Sequence, residues 1–167
     1  RQMCIRDSYK MNKFLFPSIL VIALLFASCG SSGPEGHAMD EMVQTQDGYS
    51  IKVIKTESLK EINSYTQAPD GSNYIAAEIN VQNNQEEDLK IYARQFYLQS
   101  YASEDSTVYD PVTFGKIPDW GISKSIKPSG VLKAWITFEV PLEEEKVQLV
   151  YKTDMIGSSE LKFNITE

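Results

Sequence analysis

Histidine occurs once in 167 residues and cysteine twice. A lone histidine leaves no obvious base for a Ser-His-Asp or Cys-His arrangement. Two cysteines cannot build a disulfide scaffold or a four-cysteine metal site. No glycine-rich, phosphate-cradling motif is present. Basic side chains are the minority charge, 16 against 23 acidic, for a net −7, and that balance disfavours non-specific nucleic-acid binding, which needs cations to displace counterions. With 9 glycines and 7 prolines the chain is neither collagen-like nor a low-complexity tract. The longest apolar run, Phe14–Ala27, has 14 residues, short of the roughly 20 that a bilayer-spanning helix needs. What remains is 42% hydrophobic and 23% charged, the balance of a globular chain with one domain and an appendage.

The appendage is an address. Met11-Asn12-Lys13 supplies a short positive start, Phe14–Ala27 an apolar stretch, and Ala27-Ser28 a small pair directly before Cys29. That order describes a secretory signal, and its end resembles the bacterial lipobox. The resemblance implies a lipidated Cys29, with cleavage before it and a signal peptide over residues 11–28. Phe26 departs from the usual aliphatic residue three places before the cysteine. Residues 1–10 fit neither signal nor domain and read as upstream translation of the natural start at Met11. Residues 1–28 hold four basic side chains and one acidic one, so residues 29–167, 139 in all, carry 12 basic and 22 acidic side chains, a net −10. Such a body is repelled by anionic headgroups, so the acyl chains must supply the membrane affinity.

Residues 29–47 lack periodicity and read as the lipidated cysteine and a flexible linker. From Gly48 onward the dominant period is two. Tyr49, Ile51 and Val53 share a face; Ile75, Ala77, Ile79 and Val81 share another; Leu132, Ala134, Ile136, Phe138 and Val140 form the clearest stripe. Alternation of this kind puts one sheet face on a core and the other in water. Further strands are expected at 89–92, 96–100, 107–109, 121–126, 147–151 and 161–165, with turns at Pro69-Asp70-Gly71, Asn83-Asn84, Pro128-Ser129-Gly130 and Gly157-Ser158. Gly130 is the expected positive-φ residue of its turn. Only Glu57–Gln67 reads as a short helix. The expected fold class is all-β, an antiparallel immunoglobulin-like β-sandwich of about seven to nine strands over residues 48–167, with a small closed barrel as the competitor.

Three stretches carry a family likeness: the early strand Tyr49–Ser58, the stretch Asn73–Ser100 with its Val-x-Asn, polar turn and Phe-x-Leu, and Ile126–Lys152 with a Pro-x-Gly turn, Phe-x-Val-Pro and Leu-Val-Tyr. Together they resemble a bacterial extracytoplasmic domain family of unassigned function, common in lipoproteins and sometimes mislabelled as a telomeric repeat-binding factor. The fold is similar to that of a small secreted bacterial immunogenic protein. The resemblance implies an immunoglobulin-like sandwich and supplies no catalytic residue.

Candidate chemistry is sparse. Tyr101, Tyr109, Phe114, Trp120 and Trp135 are the candidate recognition aromatics, set against a packing role for each. Glu104, Asp105, Asp110 and Asp119 are oxygen donors of the calcium type without EF-hand spacing, and His37, Met39 and Met42 are soft donors of the copper(I) type with loose spacing. The runs Glu86-Glu87-Asp88 and Glu143-Glu144-Glu145 fall in turns and read as solvated. The expectation is a lipid-anchored, non-enzymatic envelope module without cofactor or metal. Its partners are the membrane and an envelope protein or surface ligand, not nucleic acid. Two alternatives stay open: a hydrolase using paired carboxylates on envelope polysaccharide, and a metal-binding sensor.

Overall fold

The computed structural model describes residues 35–101, 106–112, 123–153 and 159–166. In them the period-two stretches become strands: β1 (His37–Ala38), β2 (Val43–Gln44), β3 (Tyr49–Leu59), β4 (Glu61–Asn63), β5 (Thr66–Gln67), β6 (Ser72–Asn83), β7 (Leu89–Tyr92), β8 (Phe96–Ser100), β9 (Val108–Tyr109), β10 (Ser123–Ile126), β11 (Val131–Pro141), β12 (Val147–Lys152) and β13 (Glu160–Asn164). A single 3-10 turn, Ala93–Gln95, joins β7 to β8. Eight of these strands have four residues or more, as the alternation predicts, and the rest are two- or three-residue pieces.

The strands form two main sheets, ordered β1-β13-β12-β8-β9 and β11-β6-β3-β2, with the two-stranded ribbons β7-β10 and β4-β5 beside them. All pairings are antiparallel except β1 with β13. The two ladders do not join into one closed barrel, so the sandwich holds and the barrel alternative falls. The predicted inner stripes meet across the gap: Ile51, Val53, Ala77, Ile79, Ile136 and Phe138 pack with Phe96, Leu98, Leu149 and Phe163 in one core. Burial of large aliphatic and aromatic side chains is worth roughly 1.5–3 kcal/mol each, and it is the main force holding the sheets face to face.

Each lateral margin is covered by a segment that changes sheets. On one side β1 lies beside β13, then Asp40 donates its N–H to the Val53 carbonyl at 2.7 Å and β2 pairs with β3. On the other side β9 lies beside β8, then Pro111 bridges Phe138 and Val112 donates its N–H to the Thr137 carbonyl at 2.8 Å. Open sheet edges are templates for pairing with other chains, and these segments occupy them.

Three expectations need correction. The linker ends earlier than residue 47, because His37–Ala38 and Val43–Gln44 are strands and Val43 and Thr45 are buried. Pairings of two residues leave no readable period. Glu57–Gln67 is not helical: Glu57, Ser58 and Leu59 extend β3 against Ala76, Ile75 and Tyr74, and β4 and β5 form a hairpin with Ile62 buried. In the Pro128-Ser129-Gly130 turn the positive φ belongs to Ser129 (60°), and Gly130 serves another need. A Cβ at Gly130 would sit 2.8 Å from the Lys127 carbonyl oxygen, the same oxygen that accepts the Gly130 N–H.

Candidate functional site

Cys29, Phe114, Trp120, Glu104, Asp105 and Asp119 lie outside the described residues, as do the signal segment and the Gly157-Ser158 turn. Among the candidate recognition aromatics, Tyr101, Tyr109 and Trp135 are described, and they do not form one surface; Asp110, of the calcium-type donors, is described and exposed.

Tyr101 and Tyr109 reach, through Thr166 and Glu144, the same cleft at one end of the sandwich. The hairpin-like return from β8 to β9 brings Ser100 N–H to the Thr107 carbonyl, and Tyr101 N–H to the Lys146 carbonyl. The Tyr101 hydroxyl then lies 3.3 Å from Thr166 Oγ1, and the Tyr109 hydroxyl donates to Glu144 Oε2 at 3.2 Å. Burial, followed by the nearby Glu144 carboxylate, raises the Tyr109 pKa. Glu144 and Thr166 also line a cleft of about 310 Å³ with Asn73, Ile75, Val140, Pro141 and Leu142. Both phenols are half-buried and hydrogen-bonded.

Trp135 stands elsewhere, on the outward face of β11 opposite Glu78 of β6. Lys55 Nζ lies 4.7 Å from its ring centroid, Lys55 pairs with Glu57 at 2.7 Å, and Lys133 pairs with Glu78 at 3.0 Å. The hydrogen bond to Glu57 raises the Lys55 pKa. This face is therefore a lattice of cross-strand charges around one aromatic ring, with Ala76 and Thr137 fully buried beside it. The outward face of the other sheet repeats the pattern: Tyr97 donates to Glu160 Oε1 at 2.7 Å, and Lys152 Nζ lies 4.8 Å from the Tyr97 ring centroid and 3.8 Å from Glu160. Burial, reinforced by that carboxylate, pushes the Tyr97 phenol well above its ordinary value.

The soft-donor trio does not converge either. The His37 ring packs on Phe163 with centroids 5.8 Å apart and its Nδ1 lies 3.0 Å from Glu41 Oε1, while Met39 and Met42 are exposed. Among the described residues no group of three or more His, Cys, Asp and Glu side chains is placed to hold a metal ion. Glu86, Glu87, Asp88, Glu143 and Glu145 are exposed, as turn positions predict, but Glu144 is not solvated as its run suggests: it is half-buried and accepts from the Tyr109 hydroxyl.

Sequence reading passed over the β7-β10 ribbon. Register sets Tyr92 opposite Ser123 and Lys90 opposite Ser125, so these four side chains share one face. Lys90 Nζ lies 5.3 Å and Arg94 Cζ 5.2 Å from the Tyr92 ring centroid. The available signal was charge segregation: residues 89–95 and 123–127 contain four cations and no acid.

Residues 37–162 match the family described as Domain of unknown function (DUF4352). Solved bacterial proteins share the fold. The yjhA protein of Bacillus subtilis is 14% identical with a TM-score of 0.58, over 77% of this chain and 98% of its own. An uncharacterized β-sandwich protein of Clostridium difficile 630 is 14% identical with a TM-score of 0.51, over 79% and 95%. The ycdA protein of Bacillus subtilis subsp. subtilis str. 168, described as "a putative lipoprotein", is 14% identical with a TM-score of 0.55, over 74% of this chain and 38% of that one. Among curated proteins none matches.

Proposed function

This chain belongs to the family described as Domain of unknown function (DUF4352), and we propose that it works as a lipid-anchored, extracytoplasmic binding or structural module without catalytic activity. The observation that carries the non-catalytic reading is the dispersal of the chemistry-bearing side chains. Among the described residues the groups with raised pKa are three tyrosines and one lysine, and each is tied to a neighbouring side chain: Tyr97 to Glu160, Tyr109 to Glu144, Tyr151 to Tyr49 and Lys55 to Glu57. General acid–base work needs such groups to converge on a reacting atom; here they lie on opposite sheet faces, at one end and within the core. Rigid elements carrying polar outer faces suit recognition instead.

Support for the anchor comes from the lipobox-like Ala27-Ser28-Cys29 and from a shared fold with a protein described as "a putative lipoprotein". Metabolic labelling with an alkynyl fatty acid tests it. The full chain is expected to take up label and sediment with membranes, and Cys29→Ser to lose both. An unlabelled, soluble parent chain overturns the anchor. Crosslinking in native membranes tests the module, with capture of a defined envelope component as the expected result. Hydrolysis of envelope polysaccharide by the purified chain, abolished by a single Glu→Gln change, overturns the non-catalytic reading.

A further inference from the structure

We propose that the outward face of the β7-β10 ribbon binds an anionic envelope glycopolymer through its carboxylate or phosphodiester groups. This deepens the binding-module reading and rests on it, since it names the ligand chemistry that such a module would take.

The first argument is where the positive charge has gone. Residues 29–167 carry 12 cations against 22 acids. Four of those cations, Lys90, Arg94, Lys124 and Lys127, fall within the acid-free stretches 89–95 and 123–127; Lys90 and Arg94 gather about Tyr92 on the outward face, whereas Lys124, opposite the buried Ile91, falls on the other face of the ribbon. Lys127 is matched by Asp88 at 2.7 Å. Among the described residues no carboxylate forms an ion pair with Lys90, Arg94 or Lys124. Elsewhere in the molecule most lysines on sheet faces are paired across or along strands.

The second argument is that two of these cations are held in place. Lys90 and Arg94 both pack against the Tyr92 ring, within 5.3 Å and 5.2 Å of its centroid. An attraction of this kind restrains long side chains that would otherwise sample many rotamers. Arg94 thereby offers a planar fork suited to bidentate contact with a carboxylate or phosphate. Ser123, opposite Tyr92, adds a hydroxyl on the same face, while the Ser125 hydroxyl donates to Asp88 Oδ2 at 3.5 Å, beside the Asp88–Lys127 pair. Cations, an aromatic edge and a hydroxyl are the complement of a polyhydroxylated, negatively charged polymer.

The net acidity of the whole does not forbid contact, because at physiological ionic strength charges are screened beyond about 8 Å.

Calorimetry on the full chain in non-ionic detergent tests the proposal, with polygalacturonate as the carboxylate polymer, a glycerol-phosphate polymer as the phosphodiester one, and phosphatidylglycerol vesicles as the lipid source. Both polymers are expected to bind at about 50 mM salt and to weaken as salt rises. The double variant Lys90→Gln/Arg94→Gln is expected to lose roughly a hundredfold in affinity, about tenfold per charge-assisted contact, with a flatter salt dependence by about one log unit per cation removed. Lys146→Gln, an exposed cation on the β11–β12 connection, is expected to bind as the parent does. Failure of both polymers to bind, or undiminished binding by the double variant, overturns the proposal. Binding of vesicles but not polymers also overturns it and assigns the face to the membrane. None of these results bears on fatty-acid labelling at Cys29, so the anchor stands or falls separately.

Discussion

Tyr49 and Tyr151 come from different sheets, and their hydroxyls meet at 2.8 Å inside the core, with Gln95 Nε2 donating to the Tyr151 oxygen at 3.3 Å. Burial, and then the Tyr49 hydroxyl, disfavour the Tyr151 phenolate, so the Tyr151 pKa is raised far above the ordinary tyrosine value. Tyr151→Phe leaves those partners short of one hydrogen bond and is expected to cost about 1–2 kcal/mol in urea unfolding, with the m-value unchanged. Asn83 is the residue behind the Val-x-Asn motif: fully buried, it donates to the Glu87 and Ile126 carbonyls at 2.7 and 3.0 Å and accepts from Gln85 N–H at 2.9 Å. One amide thus pins the β6–β7 turn to the end of β10, and Asn83→Ala is expected to cost about 2–3 kcal/mol. Ser129 pays for its left-handed φ of 60° in steric strain, which glycine avoids. Ser129→Gly is therefore expected to stabilise by about 0.5–1 kcal/mol in the same measurement, whereas an alanine at Gly130 would collide with the Lys127 carbonyl.

Among elements, the long strands were legible and the short ones were not. Val131–Pro141 alternates over its full length, and Pro141 ends the strand as a residue with no N–H to donate. β1, β2 and β9 are two residues each; their pairing is imposed by neighbouring strands that need covering, and no local preference announces it. The same holds at Glu57–Gln67, where composition allows a helix but the open ladder of β6 recruits Ser58 and Leu59. The β1–β2 segment is one such cover. Val43→Asp places a charge at a buried edge position opposite Ile51 and is expected to free that segment without unfolding the sandwich. Hydrogen exchange should then accelerate at the Asp40 amide, which donates to Val53, while the Leu149 amide in central β12 keeps its protection. Equal acceleration at both would show that the cover is integral to the global fold.

For the molecule as a whole, stability should fall in alkali. The folded-state pKa of Tyr151 is raised, so its contribution is fully present below the unfolded-chain value near 10 and is lost as pH rises above it, at up to about 1.4 kcal/mol per pH unit. Urea midpoints at pH 8 to 11 should show that slope in the parent chain, reduced in Tyr151→Phe; identical slopes would place the alkaline loss elsewhere. At this scale the division of information is plain. Sequence alone determined the all-β class, the inward stripes of β3, β6 and β11 and the turns at Pro69-Asp70-Gly71 and Pro128-Ser129-Gly130, because period and turn chemistry are local and each residue carries them independently. It also determined the acidic balance and the scarcity of histidine and cysteine. Only tertiary structure decided where the aromatics lie, since Tyr101 and Tyr109 reach one cleft through Thr166 and Glu144 and Trp135 stands on a face, an arrangement set by strand order. The sheet-changing segments at the margins and the cations held on Tyr92 were decided there too. Their causes are contacts between residues distant along the chain, and no local pattern encodes the free energy of a neighbour that arrives from another strand.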